Sequence, residues 1–149
     1  MPPLTDNGLP YPPAGVTPNV PYDLEQLARA LDPLMVDTGL VVVPRLAGFE
    51  DGPDLCVRRR GYSVELATLG NIGGTAGTFP TGLVEIVAPG GVPELFCPPE
   101  NRWGTAFFSS NTIGGAVCRD DGSVAVVNDT GAARSIVQLT IVWLVEPPA

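Results

Sequence analysis

The chain has 149 residues and a formal net charge of −8, and all eight of its cations are arginine because lysine and histidine are absent. An acidic surplus lacks the basic footprint that phosphate backbones need, which sets nucleic acid aside as a partner. The two missing residue types also remove the His-activated Ser or Cys nucleophile, the P-loop lysine and the Schiff base, so no enzyme chemistry is expected.

With 44% hydrophobic residues, 18 Gly and 17 Pro, the chain can bury a sizeable core but must turn often. That favours many short strands over long helices. The first segment, residues 1–20, carries Pro2, Pro3, Pro10, Pro12, Pro13 and Pro18. Proline fixes φ and removes a backbone donor, so this segment is expected to be extended and polyproline-like. It reads either as a disordered terminus or as an arm laid along a partner. For the arm, Leu4, Leu9, Tyr11 and Val16 supply apolar anchors that a plain spacer would not need. The opening residues show neither the basic nor the apolar region of a secretory leader. The longest mostly apolar run, SIVQLTIVWLV (135–145), is about half the ~20 residues that a membrane-crossing helix needs. Synthesis in a cytoplasm and no membrane partner are the expectations.

Residues 21–36 read as a short helical stalk. Pro21 suits a first-turn position, where its missing N–H costs nothing, and Asp23 and Glu25 lie near the positive end of the helix dipole. Leu24, Leu27, Ala28, Leu31, Leu34 and Met35 follow with heptad-like spacing, and Pro33 marks a kink or an end. A helix this short is marginal alone in water. Its stripe must pack, either back on its own domain or on copies of itself around an axis.

From Asp37 the hydrophobic period changes to two, and residues 37–149 read as a β head. LCVRRRGYSVEL predicts a hairpin about Arg60-Gly61, and AVCRDDGSVAVV predicts one about Asp121-Gly122. Further strands are expected near 40–43, 83–88, 92–97, 106–110 and 116–119. Gly73-Gly74, Pro89-Gly90-Gly91, Pro98-Pro99 and Gly114-Gly115 act as breaks between them. In the last strand Val137, Leu139, Ile141, Trp143 and Val145 share a core face, and Ile136, Gln138, Thr140, Val142 and Leu144 share the other. About eight to ten short antiparallel strands with no room for crossover helices indicate an all-β sandwich or jelly roll.

The remaining candidates have a structural reading beside a chemical one. Cys56, Cys97 and Cys118 form no CxxC and read as buried thiols, with a Cys56–Cys118 bridge as the alternative. GNIGGT (70–75) is glycine-rich but lacks a dinucleotide-binding pattern, and it reads as a loop or bulge. Asp120-Asp121, and Asp51 with Asp54, read as solvated turns ahead of acid–base pairs or Ca²⁺ ligands. Neither a metal nor a cofactor is expected. Arg58-Arg59-Arg60 is an anion site or, with its side chains split between two faces, a salt-bridged strand. Trp103, Phe107 and Phe108 line a sugar site or serve as core and interface, and Trp143 belongs to the core.

The order of these parts resembles small virion proteins of phages that infect actinobacteria. In those proteins a proline-rich LPYP-type arm runs into VP-x-D-[LI]-x-x-LA-x-A[LV]-D, as LPYPPAGVTPNVPYDLEQLARALD does here. Asp37-Thr38-Gly39 with Val41, Val42 and Val43, the hairpin Val57-Arg58-Arg59-x-Gly61, the segment Phe79-Pro80-x-Gly82-Leu83 and the turn Asp121-Gly122-Ser123-Val124 match similar features in order. The resemblance implies a homotrimer: an antiparallel β-sandwich or jelly-roll head on a short helical stalk, with Leu24, Leu27, Ala28, Leu31 and Met35 at the trimer interface. It implies a virion structural protein on the particle surface, made in the host cytoplasm, whose arm residues Leu4, Leu9, Tyr11 and Val16 bind the major capsid protein or a tail protein. The helix is short, and no collagen-like or long coiled-coil shaft follows it. Both departures favour a compact capsid-decorating knob. The alternative is a receptor- or carbohydrate-binding tail tip, with Trp103 and Arg59 as ligand contacts for host surface glycans.

Overall fold

Short runs of alternating apolar and polar residues become strands wherever a tight turn lets the chain fold back on itself. The structure, a computed structural model, describes residues 20–49, 54–68, 78–109 and 111–145. Helix α1 spans Val20–Leu31 and passes into a 3-10 turn over Asp32–Met35. Pro33 sits at the start of that turn, where its missing N–H cannot extend the α-helical ladder. The strands are β1 (Val41–Val42), β2 (Leu55–Arg60), β3 (Ser63–Thr68), β4 (Thr78–Phe79), β5 (Gly82–Val87), β6 (Arg102–Phe108), β7 (Thr112–Cys118), β8 (Val124–Asn128) and β9 (Arg134–Leu144).

All pairings are antiparallel, in one sheet of order β1-β2-β3-β9-β6-β7-β8-β5, with β4 alongside β9. The sheet curls until its two edges approach one another. Just after β1, the Leu46 N–H donates to the Ile86 carbonyl of β5 at 2.8 Å. The contact covers backbone groups that an open edge would offer to another chain.

Both predicted hairpins form. At Gly61 (φ +58°) an added Cβ would lie 3.2 Å from the Leu34 carbonyl oxygen, and at Gly122 (φ +78°) 2.7 Å from that of Val92. Glycine therefore serves at each for its left-handed backbone and for close approach. The expected strand over 92–97 is instead a 3-10 turn, Glu94–Phe96, bracketed by Pro93 and Pro98. Its Phe96 N–H donates to the Pro93 carbonyl at 2.8 Å. Gly114-Gly115, expected as a break, lies inside β7. A Cβ on Gly114 would fall 2.4 Å from the Phe108 ring, so this glycine makes room for an aromatic.

The core lies inside the curl. Phe79 is fully buried, stacked on Phe49 at 5.0 Å and edge-on to Phe108 at 6.5 Å. Leu55, Val57, Val64, Leu66, Val124, Val126, Leu139 and Ile141 face it from the surrounding strands. Trp143 is buried as expected, and its indole N–H donates to the Phe96 carbonyl at 3.0 Å, tying the 3-10 turn over one end of the core. The register skips a residue between Gln138 and Ile136 opposite Phe107 and Phe108. This bulge turns Ile136 into the core, where simple alternation had placed it outside.

Removing the central ring leaves a cavity that the curled sheet cannot collapse to fill. Phe79→Ala is expected to lower unfolding free energy by about 3–5 kcal/mol, read by denaturant titration. A loss below ~1 kcal/mol would contradict this assignment of the core.

Candidate functional site

The stalk residues picked out by spacing lie on α1 and its 3-10 continuation. Leu24 is 60% exposed and Met35 80%, Ala28, Leu31 and Leu34 are also exposed, and Leu27 is half-buried. Among the described residues, α1 runs directly into its 3-10 turn over Asp32–Met35. One surface ion pair, Arg29 to Glu25 at 2.6 Å, joins successive turns. A pair of this kind contributes only a few tenths of a kcal/mol, about 0.3–0.5. The amphipathic stripe is therefore present and, at Leu24, Ala28, Leu31 and Met35, exposed.

A compact collar fastens the stalk to the head. Gly61, in the β2–β3 turn, donates its N–H to the Val36 carbonyl at 2.7 Å, and the Thr38 N–H donates to the Arg59 carbonyl at 3.1 Å. Asp37 bridges to Arg60 through the backbone. Its carboxylate accepts the Gly39 N–H at 3.0 Å and the Arg58 Nε–H at 2.8 Å, with a second bond from Arg58 Nη2. Arg60 Nε stands 3.9 Å away. The Arg58 hydrogen bonds, then the Gly39 N–H, then the two guanidinium charges hold the Asp37 carboxyl well below the usual carboxylate range. The same bonds push the Arg58 guanidinium up. Strand alternation sorts the three arginines: Arg58 and Arg60 turn outward to Asp37, while Arg59 is buried and its Nε–H donates to the Gly61 carbonyl at 2.8 Å.

On the head, pairing registers place Trp103, Thr105 and Phe107 of β6 on the outward side, beside Val117, Gly115 and Ile113 of β7. Ala125 and Val127 of β8 continue the row, and Gln138, Thr140, Val142 and Leu144 of β9 complete it on the other flank. Trp103 is 63% exposed, and its ring covers Gly115, where a Cβ would sit 3.7 Å away. Phe108, a sequence candidate with Trp103, is buried in the core. Trp103 and Arg59 therefore face opposite sides of the sheet and form no joint site.

Other candidates have structural duties. Within the β7–β8 turn the Ser123 side chain and then the Ser123 N–H, which Asp121 accepts at 2.8 Å, hold the Asp121 carboxyl below its ordinary value. All three cysteines are free thiols, so the Cys56–Cys118 alternative is not formed. Burial pushes Cys118 up to about 12 and raises Cys56 and Cys97 as well. A recess of about 240 Å³ lies on the outer side of β1–β3, lined by Leu40, Cys56, Arg58, Arg60, Glu65 and Ala67. Among the described residues no group of three or more His, Cys, Asp or Glu is placed to hold a metal, and no helix is long and apolar enough to cross a membrane. Leu4, Leu9, Tyr11 and Val16 of the arm, the glycines of 70–75, and Asp51 lie outside the described residues.

Sequence reasoning picked out the apolar spacing on α1, Trp103 with Phe107, and the second face of the last strand, but not that the latter two join Ile113 and Val127 in one outward row. The signal was masked because both sides of β6 and β7 are apolar or small: Gly104, Ala106, Gly114 and Ala116 point inward opposite the larger outward residues. No family model and no curated protein matches the chain.

The collar makes a pH prediction. Because Asp37 titrates lower in the folded chain, its contribution is present above the unfolded value of about 3.9 and is lost as pH falls from there toward the folded value. Carbon-detected NMR titration is expected to give Asp37 a midpoint well below ~3.9 that returns toward that value in Arg58→Ala. An ordinary midpoint in the wild-type chain would contradict the clamp.

Proposed function

We propose that this chain is a structural protein of a bacteriophage particle: a homotrimeric knob with a β-sandwich or jelly-roll head, decorating the virion surface, most directly the capsid. The supporting observation is the stalk. A 12-residue helix carries an exposed apolar stripe and is pinned by the Asp37 collar to an antiparallel β head. Neither the hydrophobic effect nor helix propensity stabilises such an element alone. Copies of the stripe packed around an axis would cover it. The likeness of the arm, stalk and hairpins to small virion proteins supplies the particle.

In this reading the proline-rich residues 1–20 bind the major capsid protein or a tail protein, with Leu4, Leu9, Tyr11 and Val16 filling pockets along an extended path. Three arms on one trimer bind with avidity, so each can be individually weak. Nucleic acid, membrane and cofactor have no part in it. A second reading, a receptor- or carbohydrate-binding tail tip, is favoured by one observation: the broad outward exposure of Trp103.

Two experiments divide these readings. Deleting residues 1–20 is expected to leave a folded trimer that no longer co-sediments with particles, and retention at wild-type occupancy would contradict the arm's role. On a glycan array the isolated protein is expected to show no signal that depends on Trp103. Binding abolished by Trp103→Ala would favour the tail-tip reading.

A further inference from the structure

We propose that the outward face of β9, β6, β7 and β8 is the surface through which copies of this chain meet in the head. The inference rests on the self-association reading above and deepens it, since that reading placed contacts only on the stalk. An antiparallel sheet with one side on a core ordinarily presents polar residues on the other. Here none of the outward positions from Trp103 to Phe107, Ile113 to Val117, Ala125 to Val127 or Gln138 to Leu144 carries a charge. Large apolar groups stand open along it: Leu144 is 69% exposed, Ile113 and Trp103 63% each, and Val142 55%.

Charge selects the occupant. The chain has a net charge of −8, so two copies repel wherever their acidic surfaces approach. The uncharged face is where they can meet without that penalty, whereas a charged foreign partner would find no counter-charge there. Glu65 on β3 and Glu85 on β5 flank it, the latter held by Arg119 at 2.7 Å. Position points the same way. Leu144 pairs with Ser63, beside the Gly61 turn to which Val36 is bonded, so the face begins at the end of the head where the stalk is rooted.

Size makes the face and the stalk interdependent. Four strands about 4.8 Å apart and about 20 Å long give a footprint of at most roughly 400 Å², within which Val117 and Ala125 are already buried in the single chain. A standard stable interface takes about 800 Å² from each partner. The face alone falls short, and the stalk stripe must add to it. Trp103, large and rigid above Gly115, is the anchor such an interface uses.

The test uses the full chain in sedimentation velocity. Wild type is expected to run as a trimer, Ile113→Glu to dissociate at least tenfold more readily, and Val42→Glu, exposed on the outer side of β1 away from this face, to behave as wild type. A trimer that Ile113→Glu leaves undiminished overturns the face while sparing the self-association reading, and a wild-type chain that runs as a single copy overturns both. If Ile113→Glu does not fold, acrylamide quenching of wild type decides. Of the two tryptophans, Trp143 is 3% exposed, so quenchable emission reports Trp103. Trp103 is expected to be shielded in the trimer and to become quenchable on dilution. Free quenching in the trimer overturns the assignment.

Discussion

Apolar surface that a single copy cannot cover is the constraint on which this molecule depends. Inside the curl the constraint is met: Phe79, Phe108, Leu66 and Ile141 are sealed, and the Leu46 to Ile86 hydrogen bond brings the sheet edges together. Outside it is not met at Leu24 and Met35 of the stripe, nor at Trp103, Ile113, Val142 and Leu144 on β6, β7 and β9. Association costs about 4–15 kcal/mol before any benefit appears. In the proposed trimer the stalk stripe and the face would have to meet that cost together.

The collar makes those two surfaces act together. A stalk joined to the head by a loose linker would align its stripe with nothing in particular. Here Val36, Asp37 and Thr38 are bonded to Gly61, Arg58 and Arg59, which fixes the root of the stalk on one hairpin. The glycine at that hairpin is dictated by the same contact, since a side chain there would press on the Leu34 carbonyl. The arginine run follows from this geometry too: alternate residues reach one carboxylate, and the middle one buries beneath the turn.

Much of this was legible in the residues. Period-two alternation, Asp121-Gly122 and Arg60-Gly61 marked the antiparallel fold and its hairpins, and the spacing of Leu24, Leu27, Leu31 and Met35 marked the helix and its 3-10 continuation. The misses have local causes. The bulge in β9 depends on its pairing with Phe107 and Phe108, distant in sequence, so Ile136 looked like an outward residue. Gly114 looked like a break because its purpose, admitting the Phe108 ring, lies on a neighbouring strand. The 92–97 segment has strand-like residues, but its flanking prolines remove ladder donors and leave a 3-10 turn. The continuity of the outward row from β9 to β8 was hidden because small inward residues on β6 and β7 erase the contrast that alternation relies on.

On the proposed reading, a knob covered fully only in company would suit a protein that decorates a repeating surface. Stability and attachment would then share one source, the assembly of copies. Native mass spectrometry of the full chain tests this most directly. A dominant species of three times the 15.5 kDa chain mass is expected, whereas a single 15.5 kDa species at the highest soluble concentration would contradict self-association.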